Sequence, residues 1–320
     1  MSRRGWSLFA AMGLIWGIPY LLIKVAVGGV APPVLVLARV TIGAAILLPL
    51  ALHRRELAVL RPHWRWLVVF ALVEIVAPWL LLSEAETRLP SSLTGLLVAA
   101  VPIIVAVLAR FTGSKDRMSA IRWAGLLVGL GGVALLLGPG APRGEIGSVF
   151  EVLAVAVCYA IGPLIASRKL SGLPSLGMTA VCLAFAAVIY APLAALSWPS
   201  SVPAAKVFWA IGGLAVVCTA IAFLGFFALI AEVGPARASV ITYVNPAVAV
   251  VLGALVLSER ITLAMVGAFA LILAGSVLAT RSGRRGQDAV SDAASTGLSE
   301  AAEASAIRGV QQVPSRSPQA

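Results

Sequence analysis

Charge is what this chain has least of. Acidic and basic side chains make up 12% of its 320 residues, and histidine occurs twice, at His53 and His63. A soluble protein of this length needs far more polar surface than that, because a large share of any globule stays in contact with its solvent. Cysteine is nearly absent too. Cys158, Cys182 and Cys218 all fall inside apolar segments, with no C-x-x-C spacing for a metal and no framework for disulfides. No G-x-x-x-x-G-K-[ST] phosphate loop is present, so ATP hydrolysis by this chain is not expected. No histidine lies in an apolar segment, which argues against an intramembrane enzyme built on a base or a metal. Neither a metal nor a cofactor is expected.

What the chain has is apolar length. Hydrophobic residues reach 60% and mean hydropathy is +1.01. Lipid can cover such a surface and water cannot, so the sequence reads as an all-α integral membrane protein. The formal charge of +11 does not point to nucleic acid. The basic residues lie in short gaps between apolar segments, where membrane proteins keep cytoplasmic charge. Arg3-Arg4 followed by an apolar run has the look of a signal peptide. The run continues past Lys24 with no small-residue cleavage site and is read as a retained first helix.

Ten spans of about 20 apolar residues are expected. They run roughly over 5–27, 33–52, 65–82, 91–110, 121–138, 147–167, 175–197, 207–230, 237–257 and 262–280. Lys and Arg concentrate in alternate gaps. Arg3, Arg4, Arg54, Arg55, Arg61, Arg65, Arg110, Lys115, Arg117, Arg122, Arg168, Lys169 and Arg237 fall on one side with Arg281, Arg284 and Arg285. Arg88, Arg143, Lys206 and Arg260 fall on the other. The richer side is cytoplasmic by the positive-inside rule, which places both termini in the cytoplasm of a multi-pass cell (inner) membrane protein. Residues 283–320 are rich in Ser, Ala, Gln, Gly and Glu and are expected to form a disordered cytoplasmic tail.

The chain also repeats itself. AETRLPSSLTGLLVAAVPIIVAVLARFTGSKDR at 85–117 is echoed by AEVGPARASVITYVNPAVAVVLGALVLSER at 231–260. WGIPYLLIK at 16–24 has a weaker echo in YAIGPLIASRK at 159–169. The Gly-rich WAGLLVGLGGVALLL at 123–137 answers to VGAFALILAGSVLA at 266–279. Two units follow, 1–140 and 145–282, each of five helices. An odd number per unit turns the second copy upside down, so the expected architecture is two inverted five-helix repeats, a design suited to alternating access. Asp116-Arg117 and Glu259-Arg260 then close the same helix on opposite sides. Pro102 and Pro246 recur inside matching spans, where each removes a backbone hydrogen bond and kinks its helix.

On these residues the chain resembles the EamA-type members of the drug/metabolite transporter superfamily. The likeness covers nearly all of 5–282. It rests on Trp16, Gly17 and Lys24, on Ala38-Arg39, and on the segments around Pro102 and Pro246 with their acidic loops and Gly-rich helices. LSERIT fits the family pattern, whereas GSKDRMS replaces the usual Gly-Glu-Arg-Leu in the first copy. The resemblance implies a ten-helix exporter of amino acids or other metabolites, driven by a proton or substrate gradient. A nucleotide-sugar or drug carrier of the same fold, a channel and a membrane scaffold are the competing readings. The partners expected are a small-molecule substrate, membrane lipid and protons.

Charges inside spans need reasons, because each costs about 2.5–3.5 kcal/mol on insertion scales. Lys24 and Arg39 lie in the outer half of their helices. Together they would attract a carboxylate, or neutralise Glu74 or Glu84. Lys24 has the further option of snorkelling to the interface. Glu74 lies about nine residues, or about 14 Å, from either end of its span, too far for a glutamate to reach water. It is expected to face the interior, as the central substrate or proton group or as the ion-pair partner of Arg39. Pro78, four residues on, loosens the helix beside it. Asn245 either caps a carbonyl freed by Pro246 or faces the cargo. Trp16 and Tyr159 occupy matching places in the repeat and are expected to wall the cavity. Glu84 and Glu86 are expected to be solvated at the outer mouth, and Glu151 to offset the positive start of the sixth helix.

Overall fold

The computed structural model describes residues 2–111, 120–137, 143–234 and 238–280. These residues are mostly helical, with no strand among them. Eight helical stretches are long and apolar enough to cross a membrane. In chain order they lie in α1 (Arg3–Val27), α2 (Pro32–His53), α3 (Leu57–Arg88), α4 (Ser91–Leu108), α6 (Arg143–Lys169), α7 (Ser175–Leu196), α8 (Ala205–Val233) and α9 (Ser239–Leu257). Two more apolar helices, α5 (Ala120–Leu137) and α10 (Leu263–Thr280), complete the order. Their apolar stretches, Trp123–Leu136 and Leu263–Ala279, are shorter than the rest. Residues 283–320, the Asp116-Arg117 pair and Arg237 lie outside the described residues.

Proline decides where the long helices break. α1 turns at Trp16–Ile18, immediately ahead of Pro19. α4 is interrupted at Ala99-Ala100 and resumes at Val101, with Pro102 in the first turn of its second segment. In α9 a 3-10 segment, Ser239–Tyr243, gives way to an α-helix at Asn245, with Pro246 again in the first turn. Both prolines therefore start a helical segment rather than bend a continuous one. A missing N–H is harmless in a first turn, and the ring pre-sets the helical φ.

A different break recurs in α3 and α8. Each widens into π-helix, over Leu72–Val76 and over Gly213–Ile221. π segments free backbone groups from the usual ladder and turn side chains out of register, and they recur at functional sites.

The helices pair in a pattern. α2 packs along α7, burying Val36, Val40, Ala44 and Leu47 with Ala180, Leu183 and Tyr190. α4 packs along α9, while α3 lies on α6 and α8 lies on α1. α5 crosses α10 at glycine: a Cβ on Gly275 would run into the backbone of Gly125 and Gly129. Glycine lets these two backbones touch, a common device between membrane helices.

Candidate functional site

Glu74 lies at the middle of the π segment of α3. Its neighbour across the bundle is Gly162 of α6, where any Cβ would overlap the Glu74 carboxyl. Oε2 is buried and has no hydrogen-bond partner. The backbone around it is held from a third helix, where the Tyr190 hydroxyl of α7 donates to the Val76 carbonyl. Pro78 follows the π segment and has no N–H to offer it. A carboxyl therefore projects inward from a widened turn, onto a neighbour that has no side chain. Cys158 and Tyr159 of α6 and Cys182 of α7 are the titratable groups within its electrostatic reach.

Arg39 is also buried, at 7% exposure, and it is satisfied. Its Nε donates to Thr219 Oγ1 at 2.9 Å. The Thr219 hydroxyl in turn donates to the Leu214 carbonyl at 2.8 Å, within the π segment of α8. The guanidinium carbon lies 3.7 Å from the centroid of the Trp79 ring. A planar cation stacked on an indole is a favourable arrangement in a dry interior, worth about 2 kcal/mol when desolvated. No ion pair joins Arg39 to Glu74; among the described residues the recorded pair is Arg88–Glu151 at 3.3 Å. Tyr159 lies within electrostatic reach of both Glu74 and Arg39.

Lys24 does not snorkel. Its Nζ donates to the carbonyls of Glu86 and Leu89 at 2.7 and 2.8 Å, capping the end of α3 where carbonyls lack intrahelical donors. Asn245, with its NH2 turned toward the carbonyls, donates to Ile241 O at 3.0 Å and to Gly13 O at 3.1 Å. One amide thus serves carbonyls beside the breaks of both α9 and α1. Trp16 packs on Phe226 and Phe223 of α8 with ring centroids 4.6 and 6.1 Å apart. Tyr159 packs on the cores around α2, α7 and the second half of α1, while Trp16 packs on the core between α1 and α8.

Two acidic residues depart from expectation. Glu86 is not solvated; it is 0% exposed. Glu151 does not sit at the start of its helix, because that helix begins at Arg143; it pairs with Arg88 instead. Thr219, Gly162 and Tyr190 were not singled out by the sequence. Gly162 carries a faint signal, as a glycine directly before Pro163 in the YAIGPL echo. Thr219 and Tyr190 carry none, since a lone hydroxyl in an apolar helix looks the same wherever it points. Among the described residues no three His, Cys, Asp or Glu side chains gather to hold a metal. A surface groove lined by Leu57, Arg61, Trp64, Val181 and Phe185 contains neither Glu74 nor Arg39.

The sequence is similar, over most of its length, to proteins named as transporters. The profile of the EamA-like transporter family matches twice, over residues 3–138 and 147–281. "Uncharacterized inner membrane transporter YedA" of Escherichia coli (strain K12) is 29% identical over 249 residues, which is 77% of this chain and 80% of that protein. "Probable terminal-alkyne amino-acid exporter" of Streptantibioticus cattleyicolor is 28% identical over 88% of this chain and 94% of its own. A solved crystal structure superposes with a TM-score of 0.62 at 26% identity, covering 87% of this chain and 98% of the other. With two profile matches spanning nearly all the membrane helices, this chain belongs to the EamA-like transporter family.

Proposed function

We propose that the chain is a secondary exporter of small metabolites with a cationic amine, amino acids among them, that works by alternating access with Glu74 as its central group. The observation that carries this reading is the Glu74 carboxyl: it is inside the bundle, it projects from a π turn, and its Oε2 has no donor. A buried carboxyl oxygen without a donor is costly, and a positive group arriving there would relieve that cost. A cargo ammonium or a proton would meet that need. Arg39 is already engaged by Thr219 and Trp79 and is read here as part of the wall.

Two inverted five-helix repeats, 1–140 and 145–282, provide the moving parts. The double profile match supports this division. So does the pairing of helices: α2 with α7, α4 with α9 and α5 with α10 join equivalent positions, and α3 on α6 answers α8 on α1. The Lys/Arg distribution supports an inner-membrane orientation with both termini in the cytoplasm. The relative named as an amino-acid exporter supports the cargo class.

Counterflow in proteoliposomes tests the proposal. Wild type loaded with unlabelled amino acid should accumulate the labelled form with saturation, which a channel or a scaffold does not do. Glu74→Gln should insert and melt like wild type but lose about tenfold or more in rate. A charge-assisted hydrogen bond is worth about 1.5–3 kcal/mol, and about 1.4 kcal/mol is a factor of ten. Wild-type counterflow by the Gln variant across pH would remove Glu74 from the centre.

A further inference from the structure

A second buried acid lies at the far end of α3, away from the turn that carries Glu74. Glu86 occupies the last turn of that helix, it has 0% exposure, and neither carboxyl oxygen has a hydrogen-bond partner. Lys24 is near but engaged otherwise: its ammonium bonds the backbone carbonyls of Glu86 and Leu89. At the head of α4 a second polar atom is stranded, the Ser92 Oγ, in a residue 1% exposed. Over this junction the Glu259 carboxylate, from beyond the end of α9, accepts from Ser91 N at 2.8 Å, Ser91 Oγ at 3.0 Å and Ser92 N at 2.9 Å. The charged and titratable groups facing Glu86 are Tyr20 and Lys24 from α1, Arg39 from α2 and Glu259.

A carboxylate sealed from water with no donor is costly enough that it neutralises or takes a ligand. The ligand has to be positive and small. A metal cation needs several oxygen ligands and would be opposed by the Lys24 ammonium beside it. A proton needs no volume and no further ligands. We propose that the Glu86 carboxyl is a proton-binding site, distinct from Glu74, that holds its proton while Glu259 is seated on the head of α4 and exchanges it with water when Glu259 leaves. The use of that proton rests on the carrier reading above: a second acid, separate from the cargo group, would let proton movement be coupled to cargo movement. Its existence does not rest on that reading.

Infrared difference spectroscopy of the purified full-length protein tests it directly, because the C=O stretch of a protonated carboxyl is separate from the carboxylate bands. A protonated-carboxyl band should be present in wild type near neutral pH. It should weaken in Glu86→Gln, persist in Glu74→Gln, and lose its remainder when both changes are combined. Glu86→Gln should melt at the wild-type temperature, since an amide has the shape of the neutral acid. In Glu259→Gln the same band should exchange with D2O several-fold faster. Identical carboxyl bands in wild type and Glu86→Gln overturn the proposal. So does a Glu86→Gln protein that fails to fold while Glu86→Asp folds, because the site would then require the charge. A melting temperature that rises with Na+ but not K+, and only when Glu86 is present, would replace the proton with a metal cation. Failure of wild-type counterflow would sink the carrier reading and leave all of these outcomes readable.

Discussion

Arg39 and Glu74 are both charged residues inside the same bundle, and they are held in opposite ways. Arg39 has a hydroxyl for its Nε, an indole for its face, and a partner helix whose π segment anchors that hydroxyl. Glu74 has a glycine. The contrast repeats at the end of α3, where Lys24 caps two carbonyls while the Glu86 carboxyl has no donor. In both places the cation is satisfied by neutral partners and the acid is left unsatisfied. Each local cost is about 1–3 kcal/mol or more for the stranded acid, which a scaffold would have no reason to keep twice. On the proposed reading, the cations build the bundle and the acids receive a positive group.

The most direct way to break that contrast is to remove Arg39. Arg39→Leu loses a cation–π contact of about 2 kcal/mol and a charged hydrogen bond of about 1.5–3 kcal/mol, and it leaves the Thr219 hydroxyl with its bond to the Leu214 carbonyl alone. A net destabilisation of about 3 kcal/mol is expected, seen as a lower melting temperature and a poorer folded yield in detergent. Arg39→Lys should rescue little of it, because an ammonium has no plane to lay on Trp79. If Arg39→Leu instead melts like wild type and transports nothing, Arg39 is a cargo group, and the contrast fails.

A smaller effect is expected at Gly162. Gly162→Ala puts a methyl where the Glu74 carboxyl lies. Overpacking of this kind costs about 1–3 kcal/mol. The strain should vanish when Glu74 is shortened, so Gly162→Ala with Glu74→Ala should be more stable than the two single effects sum to. A double-mutant cycle on melting temperatures reads this coupling. Strict additivity would mean that Glu74 does not rest on α6, and the picture of an acid facing an empty neighbour would need revision.

Much of this arrangement was legible before any coordinates. Hydropathy places the helices, and the echoed segments around Pro102 and Pro246 locate the breaks in α4 and α9, because proline acts on its own backbone and needs no partner to do so. Glu74 was legible for a similar reason: a short acid mid-span has nowhere to go but inward. What stayed hidden was partnership. Whether Arg39 faces a carboxylate or an indole depends on which helix lies opposite, and Trp79 and Thr219 are distant in sequence. The π segments were hidden as well, since LVEIV and GLAVVCTAI have ordinary helical compositions. Glu86 was misplaced because its position near a span end resembles a solvated mouth, while its burial comes from packing that only the folded bundle supplies.

Glu259 sharpens the contrast from the other side, as an acid outside the spans that does have donors. Burial alone would push its carboxyl up, but hydrogen bonds from Ser92 and Ser91 outweigh burial and hold it below the ordinary value of 4.5. A lowered folded-state value means that the charged form is the stabilising one. Its contribution is fully present above pH 4.5 and is lost as pH falls below that, through the depressed value. The group is partly open to solvent, so the effect is small, of the order of an anion at a helix N-terminus, about 0.5 kcal/mol. Glu259→Gln should therefore melt slightly below wild type at neutral pH, and the gap should close as the pH falls below 4.5. Subtracting the two curves isolates Glu259 from every other acid. A gap that stays constant through that range would mean that the amide serves Ser91 and Ser92 as well as the carboxylate does, and that the charge of Glu259 has no part in holding α9 to α4.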